Sequence, residues 1–436
     1  MRAIAPRPLA GTVRIIPSKS ASHRALLTAA LAQGRSEIAP LQRSEDVDAT
    51  LCSLAGMGLA RVEAFAPMQN TVDGDYPLCR CVLAGGRFPV APRVAPCGES
   101  GSTLRFLMPL ALDGRGPVRF EGKGRLLDRP LMPYRDLFAA QGVRWAQDEA
   151  SITLEGTLRS GSFALPGDVS SQFVTGLLLA LPGLAGDSTI HLTTEVASRG
   201  YIDLTLEALA RRGIRAAWRD ERTLAVPGGQ RAVPGAAAVE GDWSHAAFYL
   251  VAGLLGGPVR LTGLAMDSAQ GDRAIVDILR AMGGDITQEE DALVARHSRL
   301  RGAEIDCQQV PDLVPALAVA ACAAQGRTVL CGAARLRLKE SDRLAALEAE
   351  LGALGARVQA TADGLIIDGG APLCGARVDG HNDHRIAMAL AVAAPLCASA
   401  LHLRRDAVVR KSAPAFWAEY SALGGDARPC GEAAQD

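Results

Sequence analysis

The stretch Pro17-Ser18-Lys19-Ser20-Ala21-Ser22-His23-Arg24 gathers hydroxyls, an ammonium and a guanidinium within about two helical turns. The spacing predicts a helix that starts at Lys19-Ser20, with Arg24 one turn further on the same face. Free backbone N–H groups at such a start, with Lys and Arg beside them, suit a phosphate or a carboxylate. No GxxxxGKS or GxxxxGKT segment is present, so this is not a Walker A loop. A second segment, Glu99-Ser100-Gly101-Ser102-Thr103-Leu104-Arg105, repeats the theme. Its Gly101 lets a ligand approach the backbone. Arg125, in Gly122-Lys123-Gly124-Arg125, offers a long cation on a glycine-rich stretch. The plainer alternative for both openings is an N-cap with a solvated cationic face.

These segments belong to a repeat. A short polar cluster opens an Ala/Leu-rich helix of about three turns; a strand-like run, a second amphipathic helix, a Gly and another strand follow. The openings are Ser18-Lys19-Ser20, Glu99-Ser100-Gly101-Ser102, Ser170-Ser171-Gln172, Asp242-Trp243-Ser244, Pro311-Asp312 and Asn382-Asp383-His384. They recur roughly every 70–80 residues, far longer than a solenoid period. Each cluster puts Ser, Asp or Asn where an N-cap belongs. Second helices are expected over Tyr201–Arg212, Ala274–Met282 and Asp342–Leu354, each followed by Gly. Ser188–Leu192, Val259–Leu261 and Thr328–Leu330 read as strands. Pro234 and Gly235 break the pattern near Val233–Gly241, and a second crossing is expected near Pro17-Ser18. That crossing would give the N-terminal strand, about Thr12–Ile16, to the other half. The alternative is an ordinary α/β chain whose alternation carries no repeat.

Lys19-Ser20 with Arg24, Gly101 with Arg105, Arg125, Ser170-Ser171-Gln172, Lys339-Glu340-Ser341-Asp342-Arg343, Asn382-Asp383-His384-Arg385 and Arg410-Lys411-Ser412 follow one another in this order. Taken together over essentially the full chain, they resemble the 5-enolpyruvylshikimate-3-phosphate (EPSP) synthase family. The resemblance implies a mixed α/β (α+β) fold, a two-domain inside-out α/β barrel of six βαβαββ units, three per domain. The expected domains are 18–237, and 1–17 plus 238–436, with the active site in the cleft between them. It implies enolpyruvyl transfer from phosphoenolpyruvate to the 5-hydroxyl of shikimate 3-phosphate through a tetrahedral addition–elimination intermediate. No metal and no organic cofactor are implied, and the family is the target of glyphosate.

By the same resemblance, Lys19, Ser20, Arg24, Ser170, Ser171, Gln172, Ser198, Tyr201, Asp312 and Lys339 are expected at shikimate 3-phosphate. Lys19, Gly101, Arg125, Gln172, Arg343, Arg385 and Lys411 are expected at phosphoenolpyruvate. Asp312, Glu340 and Lys19 take the catalytic roles: Glu340 for the proton at C3, Asp312 or Lys19 for the hydroxyl proton. The charges agree with such roles, because two polyanions held at ~4 Å repel by several kcal/mol at an effective dielectric near 20 and need several cations. Asp312 read alone is an N-cap, and Glu340 with Arg343 a surface i,i+3 pair. His381 and His384 lack a clear third ligand for a metal, and His384 is expected as a polar wall of the cleft. Glu99 stands where many members carry Asn, Arg335 where some carry Asn, and Phe106 where Pro is frequent.

Composition narrows the partners. Of 436 residues, 46 are Lys or Arg and 47 Asp or Glu, so the net charge of −1 disfavours a nucleic-acid binder. Aromatics at 4% leave few stacking platforms. Hydrophobic residues at 48% suffice for a core in each of two or three domains. The ten cysteines are scattered without a CxxC pair and read as reduced cytosolic thiols. Arg2, Arg7 and Arg14 interrupt any signal-peptide core, and the apolar stretch Ala387–Ala400 is too short to span a bilayer. A cytoplasmic monomer acting on small molecules, with no membrane partner, is expected. Two other readings are a UDP-N-acetylglucosamine enolpyruvyl transferase, whose opening motif has Lys-Asn where this chain has Lys19-Ser20, and a non-catalytic anion-binding scaffold.

Overall fold

The structure, a computed structural model, describes residues 1–68 and 78–431. The described residues divide into two compact units, one of residues 17–68 and 78–239, the other of 1–16 and 240–431. Each unit holds three four-stranded sheets of one topology. In the 17–239 unit the second sheet shows it most simply. Arg93–Gly98 pairs in parallel with Val118–Gly122, which pairs antiparallel with Ser151–Glu155, which pairs antiparallel with Arg144–Gln147. The sheet of Ser162–Leu165, Ser188–Leu192, Thr223–Val226 and Ala217–Trp218 copies it. So does the sheet of Glu304–Asp306, Arg327–Cys331, Leu365–Asp368 and Arg357–Ala360 in the other unit. In these three sheets a helix follows each of the first two strands, a βαβαββ unit, and the other three sheets repeat the same strand order.

Strands from distant parts of the chain complete the remaining sheets. Gly11–Arg14 lies parallel to Val259–Thr262, with Val13 opposite Leu261. Arg2–Ile4 sits between Leu401–Arg404 and Ala427–Pro429, antiparallel to both. In the 17–239 unit, Ala236–Ala237 returns to pair in parallel with Gly34–Gln42. The chain therefore leaves one unit between Ile16 and Pro17 and re-enters it between Val239 and Glu240.

The first helix of each repeat forms the interior. Trp243–Leu255, Val314–Ala323 and His384–Ala393 pack on one another. Nearly all their residues are buried, on every side. A helix that is apolar all round belongs in a core, and each Val or Leu buried there contributes roughly 1.5–3 kcal/mol. Lys19–Leu31 and Ser171–Ala180 take the same place in the other unit. The second helices are half-buried and stop as expected: Gly213, Gly283 and Gly355 have φ of 75°, 95° and 95°, left-handed values that end a helix at little cost for glycine alone.

Five of the six polar openings cap a helix. Ser18, Ser100 and Ser170 accept from Ala21 N, Thr103 N and Gln172 N, while Asp242 and Asp383 accept from Ser244 N and Arg385 N. Pro311-Asp312 departs from the expectation. It opens on a 3-10 turn, Pro311–Leu313, without a side-chain cap, because the Asp312 carboxylate is engaged elsewhere, as the site geometry shows.

Candidate active site

In the 17–239 unit the polar residues sit where helix starts meet. Lys19 Nζ lies 2.9 Å from Asp46 Oδ2. Arg24 is buried, and its guanidinium donates to the carbonyls of Ser20 and Tyr201 (both 2.8 Å) and to the hydroxyls of Thr205 (2.8 Å) and Thr175 (3.3 Å). It ties three helices together. Burial pushes its pKa down to about 10, so it stays charged at neutral pH without a carboxylate partner. His23, also buried, is pushed down to about 3 by burial and by Lys19 and Arg24, so its imidazole is neutral. Its Nδ1 meets Thr50 Oγ1 at 2.7 Å; Thr50 meets Thr103, and Thr103 donates to Ser100, each also at 2.7 Å. This chain of hydroxyls fixes the Ser100-Gly101 opening against the Lys19–Leu31 helix.

Gln172 is held on both ends of its amide. Arg105 Nη1 donates to its Oε1 at 2.6 Å, and its Nε2 donates to Ser102 Oγ at 3.0 Å. The buried Tyr134 hydroxyl reaches the carbonyls of Phe173 and Arg105 at 2.8 and 3.0 Å, locking the two helices that carry this pair. Gly176 permits that approach, since a Cβ there would lie 2.1 Å from the Tyr134 hydroxyl. A Cβ on Gly101 would meet Arg129 Nη1 at 2.8 Å and Arg105 Nη1 at 3.1 Å. The two guanidinium groups thus crowd within about 6 Å of each other and repel by about 3 kcal/mol at an effective dielectric near 20. Arg125 is exposed, and its guanidinium has no hydrogen bond or ion pair among the described residues. Ser170 caps its helix and Ser171 is its first residue. Ser198, at φ 55°, precedes the Arg199–Ala210 helix that carries Tyr201.

In the other unit the expected residues converge on one carboxylate. Asp312 accepts from Arg343 Nη1 at 2.9 Å, Arg385 Nη2 at 3.2 Å and Lys339 Nζ at 3.5 Å. Arg343, 1% exposed, also donates to Glu340 Oε2 at 2.8 Å and to Asp383 Oδ2 at 2.7 Å. Burial alone would lower its pKa, but Asp383, Glu340 and Asp312 raise it well above the ordinary value. Arg385 Nη2 further reaches Ser244 Oγ at 3.0 Å, and Lys411 Nζ donates to the Asn382 carbonyl at 2.7 Å. Burial pushes Lys339 down to about 8, with Asp312 pulling the other way.

The i,i+3 pair of Glu340 and Arg343 is therefore present, but as one edge of a buried network rather than a surface contact. Asp383 is a hub for which the sequence suggested only a helix cap. It caps the His384–Ala393 helix and holds Arg343; its only sequence signal is its place in Asn382-Asp383-His384-Arg385. His384 is buried at the first position of that helix. His381 Nε2 lies 2.5 Å from Glu350. Among the described residues, no three His, Cys, Asp or Glu side chains gather to hold a metal ion. No helix among them is long and apolar enough to cross a membrane.

Known proteins share this architecture. The family model described as EPSP synthase (3-phosphoshikimate 1-carboxyvinyltransferase) matches residues 4–420. A 3-phosphoshikimate 1-carboxyvinyltransferase of Clostridium kluyveri is 42% identical over 425 residues, covering 97% of each chain. One of Clostridium novyi is 40% identical over 424 residues, with the same coverage. The EPSP synthase structure of Acinetobacter baumannii superposes with a TM-score of 0.79 at 25% identity, over 98% of this chain and 99% of that one. The enolpyruvyl transferase NikO of Streptomyces tendae, at 19% identity and a TM-score of 0.77 over 98% of both chains, shares the fold. The chain belongs to the EPSP synthase (3-phosphoshikimate 1-carboxyvinyltransferase) family.

Proposed function

We propose that the chain performs this family's reaction with residues of both units acting on one pair of substrates. Enolpyruvyl passes from phosphoenolpyruvate to the 5-hydroxyl of shikimate 3-phosphate, giving the enolpyruvyl product and phosphate. The observation that carries this reading is the network in which Asp312 and Glu340 are held among Lys339, Arg343 and Arg385. It supplies what the chemistry requires: carboxylates to move protons, beside cations fixed in advance for charge on the substrates.

In the addition step the 5-hydroxyl oxygen bonds to C2 of phosphoenolpyruvate, C3 gains a proton and the hydroxyl loses one. In the elimination step the C2–O bond to phosphate breaks and the new methyl group returns a proton. Glu340 serves C3, and Asp312 or Lys19 takes the hydroxyl proton. Gly101, Arg125, Gln172, Arg343, Arg385, Lys411 and Lys19 hold phosphoenolpyruvate. Ser20, Arg24, Ser170, Ser171, Gln172, Ser198, Tyr201 and Lys339 hold the shikimate end. Arg24 does so through its grip on Ser20 and Tyr201, since its own donors are occupied by protein acceptors. A cytoplasmic monomer completes the reading. Phosphate release is the test: it should require shikimate 3-phosphate and phosphoenolpyruvate together. Release with UDP-N-acetylglucosamine in place of shikimate 3-phosphate would favour the rival transferase, and release with neither acceptor a binding scaffold.

One pH effect follows from Lys339. With its pKa near 8, an appreciable share is neutral at pH 8.5. A phosphate dianion placed beside it favours the ammonium form, so binding must take up protons there. Calorimetry of shikimate 3-phosphate in buffers of differing ionisation enthalpy is expected to show net proton uptake at pH 8.5. The Lys339 contribution should be near zero at pH 6.5, where the group is already charged, and affinity should fall as pH rises through 8. An affinity that stays flat from pH 7 to 9.5 would separate Lys339 from the phosphate.

A further inference from the structure

The 17–239 unit contains a buried cation whose charge nothing in the fold answers. Arg129 is 8% exposed, and its Nε is buried without a partner. It has no hydrogen bond or ion pair among the described residues. The side chain of every other strongly buried arginine has at least one acceptor, that of Arg212 being the Gly235 carbonyl. Arg24 has its four oxygen acceptors, Arg93 has Asp113, Arg343 has three carboxylates, and Arg385 has Asp312 and Ser244. Arg105, the nearest cation, is engaged with Gln172 and the Pro130 carbonyl. A buried guanidinium left unsatisfied is costly and rare, because it gives up its hydration for nothing. Its persistence next to a second cation is understandable when a bound anion supplies the missing acceptors.

The surroundings say what kind of anion. Arg129 Nη1 and Cζ lie 2.8 and 3.0 Å from the point a Cβ on Gly101 would occupy, so the absent side chain is what makes room for this guanidinium. Arg105 Nη1, which donates to Gln172, lies 3.1 Å from the same point. A guanidinium offers two parallel N–H groups to an oxyanion. We propose that Arg129 is a further anion-binding residue for phosphoenolpyruvate, admitted to the site by the missing side chain of Gly101. The proposal rests on the reading under Proposed function, which brings Gly101 and Gln172 to that substrate but gives Arg129 no part.

The experiment compares the full-length parent with Arg129→Gln and Arg129→Lys in phosphate-release kinetics. Thermal protection by phosphoenolpyruvate in the presence of shikimate 3-phosphate is the second readout. Arg129→Gln should raise the KM for phosphoenolpyruvate by about tenfold or more, the scale of a lost charge-assisted hydrogen bond. The KM for shikimate 3-phosphate should stay within about twofold, and the protection by phosphoenolpyruvate should shrink. Arg129→Lys keeps the charge but not the two-pronged geometry and should fall between the two; if Arg129→Gln does not fold, the same selective rise in Arg129→Lys carries the test. A purely structural role would instead shift both KM values together, or lower the melting temperature without ligand while leaving kinetics alone. Unchanged phosphoenolpyruvate KM in a folded variant of an active parent overturns the proposal by itself. A parent that neither turns over nor is protected by phosphoenolpyruvate overturns the functional reading with it.

Discussion

Glu340→Gln and Asp312→Asn are each expected to lower the turnover of phosphate release by at least about 10²-fold, the scale of a positioned acid or base. Both substitutions keep shape and remove only the ability to exchange a proton and carry charge. Glu340 and Asp312 are joined through Arg343, which donates to each of them at 2.8 and 2.9 Å. An amide oxygen can still accept those bonds, so the geometry should survive. The two variants should nevertheless differ. Glu340 is paired with Arg343, and its replacement should leave both KM values close to the parent's. Asp312 neutralises Lys339, Arg343 and Arg385 at once. Without it those cations repel each other more, and Arg385 and Arg343 will hold an incoming anion more tightly. Asp312→Asn is therefore expected to lower turnover and the KM for phosphoenolpyruvate together, a pattern of stronger ground-state binding. Turnover within tenfold of the parent in both variants would remove these carboxylates from proton transfer.

What the sequence made legible was local. Ser18, Ser100 and Ser170 declare helix starts because capping needs only a hydroxyl and the next few N–H groups. The Ser188–Leu192 strand and the glycines after the second helices are visible for the same reason. The closing strands were harder. Arg2–Ile4 is three residues long and pairs with segments roughly 400 residues away, so no hydrophobic period marks it. Asp312 looked like a cap, and only the fold shows its carboxylate turned to cations 27, 31 and 73 residues further along the chain. The pairing of Asp383 with Arg343 and the setting of Arg129 went unread because they come from burial, which spacing does not encode. The motifs that carry the family resemblance display residue types, while their protonation was not readable at all. Lys339 comes down to about 8 only through its surroundings.

Arg343→Met is expected to be the most damaging single change in the molecule. Its guanidinium is almost wholly enclosed and binds three carboxylates, Asp312, Glu340 and Asp383. Asp312 retains Lys339 and Arg385, and Glu340 keeps some contact with solvent. Asp383 does neither: its side chain is fully buried, and without Arg343 it keeps the Ser341 hydroxyl and the Arg385 backbone N–H as donors. Breaking a buried pair by removing one partner costs about 3–5 kcal/mol, because a charge is stranded in the interior. That is a large part of the stability of an ordinary domain, so urea unfolding should show a clearly lower midpoint and phosphate release should be undetectable. The stranded carboxylate can be relieved. Arg343→Met with Asp383→Asn should recover a substantial part of the lost stability, because the neutral amide no longer needs a counter-charge. It should not recover activity, since Glu340 and Asp312 would still lack the cation that orients them. If the double variant is less stable than Arg343→Met alone, with losses that simply add, then Asp383 and Arg343 stabilise the fold independently and the charge-pair account of this network fails.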